Sequence, residues 1–401
     1  MQKIDNSEFL PDELHVDLKE DFRIKLFMKT KETTGTWAAL SRYLCVHYGT
    51  VDHWKRGIAF PKLATLYKVV DIARIPKNDL YENIVYITPW RKLNAIPFIQ
   101  KLEFDEELAE WFGLLNGDGC IPSTPCKVGF SNKDPKLLQF FMNVLRNRFR
   151  IPEHLFLIAL RMPPSLMADV KAVEKLKLEW SKKLGFPRHQ IKVYHKYTSG
   201  IAADLVIHAG ALARILARLK HKVKEIVGNG PTKLKRAYLR GCYAAEGSVI
   251  ARNRYVTFAG KNTNEVSFVS QLLTSLKIKH SLYPSGGGCW QIRISNRRNL
   301  RKFHEEVGFG VNEQRQRRLE KALDSYKYLP PDARTAQIFN ELSDNKTLTV
   351  DQLAKRINLS RKWTWNFLHR LVQQGFLNAD KRKRPYMYSM VGLRDSILDR
   401  N

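Results

Sequence analysis

The chain lacks what would hold it in a membrane, in an oxidising compartment or around a zinc ion. No uninterrupted apolar stretch approaches the roughly 18 residues of a membrane span, and the opening MQKIDNSEFLPDELHVD is acidic, without the apolar core of a secretion signal. The five cysteines, Cys45, Cys120, Cys126, Cys242 and Cys289, form no CxxC pair and have no histidine at zinc spacing. An odd number without a secretion signal argues against disulfides, so all five are expected to be buried, reduced thiols. Acid is the other deficit: 39 Asp and Glu face 68 Lys and Arg, a formal charge of +29. Such an excess goes beyond what solubility requires and repels itself in a compact state unless a polyanion is near. These features predict a nucleic-acid partner, no membrane partner, and a cytoplasmic, nucleoid-associated location.

What the chain does contain is a segment written twice. Trp111-Phe112-Gly113-Leu114-Leu115-Asn116-Gly117-Asp118-Gly119 aligns with Leu239-Arg240-Gly241-Cys242-Tyr243-Ala244-Ala245-Glu246-Gly247 at a shift of 128 positions. Without a gap the register continues through Val128 and Val256, Phe130 and Phe258, Lys133 and Lys261, Phe140 and Phe268, and Leu145 and Leu273. Each copy opens with a helix that ends in a carboxylate, Asp118 or Glu246. Small residues recur four apart, Gly113 with Gly117 and Gly241 with Ala245, so each pair shares a helix face and the two helices can meet backbone to backbone.

The two acids would then emerge side by side at helix C-termini, where the macrodipole is negative and like charges repel. A divalent cation relieves that conflict; the hard oxygen ligands suit Mg²⁺, with Mn²⁺ as its substitute. Metal ions shared by Asp118 and Glu246 could activate water and stabilise a leaving 3′ oxygen. A duplicated unit packed about a pseudo-twofold axis also suits a pseudo-twofold substrate such as double-stranded DNA.

Periodicity places the elements. The first half is expected to have a strand pair ending near Ser131, helix Pro135 to Phe149, strand Phe156 to Met162 and an extra charged helix Ala168 to Leu184. Strands Gln190 to Thr198 and Ala203 to His208 and helix Ala211 to Val227 complete it. Asn229-Gly230-Pro231 breaks the chain. The second half follows with helix Thr232 to Ala245, strands around Ile250 and Val256, and helix Asn264 to Leu276. Strands Lys279 to Tyr283 and Cys289 to Ser295 and helix Arg298 to Val307 close it, giving each half the order αββαββα. Alternation sets Gln291, Arg293 and Ser295 opposite Trp290, Ile292 and Ile294, and Lys192, Tyr194 and Lys196 opposite Ile191, Val193 and Tyr197, one polar side and one packing side.

Residues 1–95 read as mostly helical. Leu40, Leu44, Val46, Val51 and Trp54 are the apolar positions of two short helices joined by a turn at Cys45. This stretch resembles the repressor-type helix-turn-helix family, matching its tail at Trp54, Arg56 and Gly57 and departing from it at Cys45, where Gly is usual. The resemblance implies that Tyr48, Thr50, Asp52 and His53 face a major groove. After Pro330-Pro331, residues 329–401 resemble a winged helix-turn-helix: helices Asp332 to Leu342, Val350 to Ile357 and Arg361 to Gln374, then a basic turn Lys381-Arg382-Lys383-Arg384 and a return strand from Tyr386. Leu353, Ile357, Leu359, Phe367 and Leu371 are its expected core, and Arg361, Lys362 and the basic turn its expected phosphate contacts.

The duplicated segment, residues 96–328 with repeats 104–228 and 232–328, resembles the LAGLIDADG homing endonucleases in their single-chain form. Gly113, Leu114, Asp118 and Gly119 match one motif and Leu239, Gly241, Ala245 and Gly247 the other, with Glu246 in place of Asp. The resemblance implies an α+β fold flanked by the two reader domains, and a monomer that cuts both DNA strands with metals held by Asp118 and Glu246. It implies DNA contacts from Lys127, Lys192, Tyr194, Lys196, Arg252, Arg254, Gln291 and Arg293. Arg293 could also be the supporting catalytic cation of the second half, whereas the corresponding strand Asp204-Leu205-Val206-Ile207 offers none. Met1 at the start and the lack of a His before Asn401 point away from an intein. Two alternatives stand beside the nuclease: a non-catalytic DNA-binding regulator, and a maturase or processing factor holding RNA.

Overall fold

The computed structural model describes residues 2–90, 94–167, 169–195, 200–324, 331–343, 347–380, 382 and 384–391. Lys196, Lys381 and Lys383 of the expected contacts lie outside the described residues, as does the side chain of Arg252. The chain divides into two compact units, Met1–Leu323 and Asp324–Asn401.

The first unit opens with β1 (Gln2–Asp5), β2 (His15–Leu18), α1 (Glu20–Thr34), α2 (Trp37–Tyr43), α3 (Tyr48–Lys55), α4 (Leu63–Ala73), α5 (Lys77–Glu82), β3 (Ile84–Thr88), β4 (Ile96–Pro97) and β5 (Lys101–Phe104). The segment is less helical than its sequence predicts. β2, β3 and β4 form an antiparallel sheet, and β1 pairs with β5, Gln2 opposite Phe104. The β1–β5 and β2–β3 partners, about 65 to 100 positions apart, leave no local signal, because the ladder and not propensity makes such strands. In the α2–α3 pair Leu40, Leu44, Val51 and Trp54 are buried, while Val46, next to the turn, is only half-buried. Thr36 caps α2 by accepting from Ala39 N, and His47 Nδ1 caps α3 by accepting from Gly49 N at 3.1 Å. Cys45 takes φ +54° between them, the left-handed turn geometry that ordinarily selects glycine.

The duplicated segment follows. Its first half holds α6 (Glu106–Gly117), β6 (Gly119–Cys120), β7 (Val128–Asn132), α7 (Pro135–Arg148), β8 (Phe156–Met162), α8 (Pro164–Met167), α9 (Val170–Leu184), β9 (Ile191–His195), β10 (Ala202–Ile207) and α10 (Gly210–Asn229). The second holds α11 (Thr232–Glu246), β11 (Gly247–Ile250), β12 (Tyr255–Gly260), α12 (Thr263–Ser275), β13 (Ser281–Pro284), β14 (Trp290–Ser295) and α13 (Arg297–Glu306), after which comes α14 (Glu313–Asp324). The sheets run β6-β7-β10-β8-β9 and β11-β12-β14-β13. Register repeats with sequence: Gly119 lies opposite Phe130 as Gly247 lies opposite Phe258, and Gly129 opposite Val206 as Thr257 opposite Arg293.

The second half is αββαββα; the first is not. Its charged helix α9 is part of a crossover that returns the chain as β9, parallel to β8, making a fifth strand. A parallel neighbour requires such a crossover, whereas the hairpins elsewhere need only a turn. Nor did periodicity anticipate α14, which buries only Leu319 and Ala322.

The second unit comprises α15 (Pro331–Leu342), β15 (Leu348–Thr349), α16 (Val350–Arg356), α17 (Arg361–Gln373), β16 (Leu377–Asp380) and β17 (Met387–Met390), with sheet order β15-β17-β16. Leu353, Ile357 and Leu371 are buried in its core with Ile338, Leu342 and Leu368; Leu359 and Phe367 are only partly buried at its margin. Leu368 rather than Phe367 points inward because Thr364, Leu368 and Leu371 share the inner stripe of α17.

All five thiols are free, but only Cys242 is fully buried; Cys45, Cys120 and Cys126 are exposed and Cys289 is intermediate, because the first three sit in turns and at a sheet edge. Among the described residues no helix is long and apolar enough to cross a membrane.

Candidate active site

Helices α6 and α11 meet at their small residues. A Cβ placed on Gly241 would stand 1.9 Å from Glu110 O, and one on Gly113 would stand 2.2 Å from Tyr238 O, so the two backbones touch. At Gly117 a Cβ would lie 2.4 Å from the Ala245 Cβ and 3.2 Å from the Glu246 Cγ. Two polar ties flank the contact. Arg240 of α11 pairs with buried Glu110 of α6 at 3.1 Å, and Asn116 Nδ2 donates at 2.6 Å to Tyr238 OH, which in turn donates at 2.7 Å to Glu265.

This contact brings the C-termini of α6 and α11 to one recess of about 700 Å³, lined by Asp118, Asn132, Arg161, Glu246 and Arg315 among others. Asp118 caps α6 and Glu246 is the last residue of α11. Burial, and then repulsion from Glu246, push the Asp118 carboxyl up to about 6. Asn132 opposes that shift by donating from Nδ2 to Oδ2 at 2.6 Å, and so does the charge of Arg315. Glu246 is exposed at the recess.

Two cations there were not foreseen. Arg315, on α14, donates from Nη1 to the carbonyls of Ala245 at 2.7 Å and Tyr243 at 3.2 Å, and to that of Ala244. Asn312 Nδ2 adds a bond to Ala244 O at 3.2 Å. These are carbonyls of the last turn of α11, so the guanidinium both closes the helix and opposes its negative end. Arg161, on β8, reaches Asp204 Oδ1 at 2.8 Å, and Asp204 also accepts from Ser131 Oγ and Tyr194 OH. Asp204 and burial together push the Tyr194 phenol up to about 12, burial being the larger cause.

The first half therefore does carry a cation at the recess, supplied by the strand beside the one expected to carry it. Arg293 occupies another place. It does not line the recess, and its guanidinium lies over the rings of Tyr255 at 4.4 Å and Tyr283 at 5.0 Å. Both rings attract that cation through their π-faces, away from the recess. Sequence held one usable hint of Arg161, its place on the polar side of an alternating strand. For Arg315 there was none, since α14 has no counterpart in the repeat.

The donor set fits a divalent cation. Among the described residues no three His, Cys, Asp or Glu come together, but the two carboxylates repel one another across the recess. Hard oxygens in that conflict suit an ion that keeps most of its waters.

Residues 233–308 match the family model described as a LAGLIDADG-like domain. That segment is a LAGLIDADG-like domain. Among curated relatives, the replication factor C small subunit of Methanocaldococcus jannaschii is 24% identical over 280 residues, 68% of this chain and 13% of that protein. Homing endonuclease I-ApeI of Aeropyrum pernix is 31% identical over 86 residues, 21% of this chain and 39% of that protein. The chain thus spans well under half the length of these relatives. A crystal structure of I-DmoI in complex with DNA and Ca aligns with 58% of this chain and 97% of that one, at 15% identity and a TM-score of 0.30. Full-length DUF199/WhiA from Thermatoga maritima aligns with 67% and 90%, at 13% identity and a TM-score of 0.32.

The remaining expected contacts are scattered over both units. Tyr48 and His53 are exposed on α3 and Thr50 is half-buried, but Asp52 is ion-paired to Lys55 at 3.2 Å and to Arg56 at 3.3 Å. Lys127 and Lys192 are exposed, Arg254 is half-buried, and Gln291 accepts from Tyr283 OH. Trp290, assigned to the packing side of its strand, is 37% exposed because it sits at the end of β14, beyond the buried Ile292 and Ile294. In the second unit Arg361 pairs with Asp351 at 2.8 Å, while Lys362, Arg382 and Arg384 are exposed.

Proposed function

We propose that the chain is an endonuclease that makes metal-dependent double-strand cuts in a pseudo-symmetric duplex DNA site. The observation that carries this reading is the backbone contact of α6 and α11, which sets Asp118 and Glu246 at one recess beside Arg161 and Arg315. The curated relative named as a homing endonuclease supports it. Asp118 and Glu246 would hold Mg²⁺ or Mn²⁺, which would supply a water of lowered pKa and Lewis-acid stabilisation of a leaving oxygen. Asn132 fixes the rotation of the Asp118 carboxylate. Arg315, tied by Nη1 to the end of α11, keeps Glu246 in place and presents positive charge to a phosphate entering the recess. Arg161, steadied by Asp204, does so from the first half. The charge of +29 favours any duplex over a neutral partner.

One observation favours a second reading, a DNA-binding regulator without catalysis. Arg315 already places a cation beside the two acids, which reduces the need for a metal. Incubation with Mg²⁺ and a pool of random-sequence duplexes separates the two. Cuts by the native chain but not by Asp118→Ala or Glu246→Ala support the nuclease; binding with no cut under Mg²⁺ or Mn²⁺ supports the regulator. Competition by structured RNA at matched salt tests the RNA-holding alternative.

A further inference from the structure

The outer face of α17 carries an arrangement that the paired acids do not use. Its inner stripe is Thr364, Leu368 and Leu371. Turned away from it are Arg361, Lys362, Trp365, Asn366 and His369, all exposed. Trp365 is 45% exposed, and its ring stacks on the His369 imidazole with centroids 5.4 Å apart and planes 7° from parallel. On the adjoining flank Trp363 stacks on Phe367 at 4.7 Å and 15°, with the Arg334 guanidinium 5.0 Å from the Trp363 ring. Arg334, Trp363, Asn366, Phe367 and Arg370 line a recess of about 290 Å³. The charged residues of α17 are Arg361, Lys362 and Arg370, with no acid among them.

A helix that reads duplex DNA does so with side chains whose donors and acceptors project to base edges. Trp365, at the middle of this face, instead lies flat on an imidazole and offers the face of its ring. Within a duplex each base has its own faces covered by its neighbours, so only an unpaired base can accept that offer. Stacking on an aromatic ring stabilises a bound base whatever its sequence, and flanking cations hold the phosphates between stacked bases. Asn366 stands between the two aromatic pairs with an amide that can meet a base edge.

We propose that α17 is a stacking platform for unpaired nucleobases, and that the C-terminal unit binds single-stranded nucleic acid through Trp365, Asn366 and the cations beside them. The inference does not depend on the nuclease reading. The test uses the full chain in EDTA, where metal-dependent cutting is silent, so a failure here is distinct from a failure to cut. Fluorescence anisotropy would follow labelled oligo(dT) and oligo(rU) of about twelve nucleotides and a blunt duplex of the same length. Trp365→Ala is expected to weaken single-strand binding about tenfold, with duplex binding unchanged and Trp365→Phe close to native. A loss confined to oligo(dT) or to oligo(rU) identifies which sugar the platform takes. Retained single-strand affinity in Trp365→Ala, or an equal loss on duplex, would overturn the proposal. A second measurement guards against misfolding of that variant: photocrosslinking of a 5-bromouracil oligonucleotide to the native chain should fall on residues 361–373, and crosslinks found only elsewhere count against the platform.

Discussion

The two halves of the duplicated segment share a register yet have become different objects. The second is compact, with four strands, an exposed Glu246 and an arginine, Arg293, held between two tyrosines. The first has five strands, a half-buried Asp118 and an Arg161 fixed by Asp204 at the recess. What has stayed alike is the helix that carries each acid, and what has diverged is the sheet around it. Position and environment are therefore separable: two carboxylates delivered by equivalent helices differ in burial and in the cation nearest to them.

The strongest test of that comparison removes one acid at a time. Asp118→Ala and Glu246→Ala should each lower double-strand cutting on the order of 10²- to 10³-fold. If the halves act unequally, the residual nicks should fall on opposite strands at different rates; equal nicking on gel analysis would dissolve the distinction.

Next in size is the contact the halves share. Gly241→Ala forces a Cβ against Glu110 O and should cost about 3 kcal/mol in chemical denaturation, with both acids displaced together. Gly117→Ala meets the Ala245 Cβ at 2.4 Å and the Glu246 Cγ at 3.2 Å, with the nearest main-chain atom at 3.8 Å, and should cost less. Equal losses would show that the helices separate more easily than their backbone contact implies.

The two arginines follow. Arg161→Gln should slow one strand about tenfold, whereas Arg315→Gln, whose partner is the end of α11 and whose charge lies near both acids, should slow both. A strand-specific effect of Arg315→Gln would reassign it to one half.

Proton linkage gives the smallest effect. Asp118 has its pKa raised to about 6 in the folded chain, above its unfolded value, so between roughly pH 4 and 6 the folded chain binds a proton that the unfolded chain has released. Without metal, the cost of ionising Asp118 is fully present above pH 6 and is relieved as pH falls. A divalent ion competes with that proton, so the Mg²⁺-induced gain in Tm should shrink below pH 6. Asp118→Asn should abolish this dependence, whereas Glu246→Gln, which removes part of the repulsion that raises the Asp118 pKa and leaves burial in place, should weaken it.

Much of the fold was legible because duplication supplies its own control: a spacing that recurs at 128 positions is unlike any chance pattern, and Gly113, Gly117, Gly241 and Ala245 announced a helix contact before any coordinate did. The acids came with it. What stayed hidden depends on pairing across long stretches of chain or lacks a second copy. β1 exists because Gln2–Asp5 finds Lys101–Phe104, and β9 because a crossover places it parallel to β8. Arg161 and Arg293 showed the reverse error. A cation was sought on the strand equivalent to β14 by repeat logic, when the sheet order of the first half puts β8 beside that strand and turns Arg161 toward the acids. Arg315 belongs to a helix with charges on nearly every side and only Leu319 and Ala322 turned inward, so nothing in its sequence distinguished it from a solvated surface.

The meeting of α6 and α11 is made of main chain, and main chain is the same in every protein. Such a joint is indifferent to most of the sequence around it. Mutations can accumulate in either sheet, adding a strand here or turning an arginine onto a tyrosine there, without loosening the hinge pin on which both are mounted. Only a few positions, those where no side chain fits, are held hostage by it. A duplicated chain with this joint can therefore let its two copies diverge in what they touch long after it has ceased to let them diverge in where their acids stand.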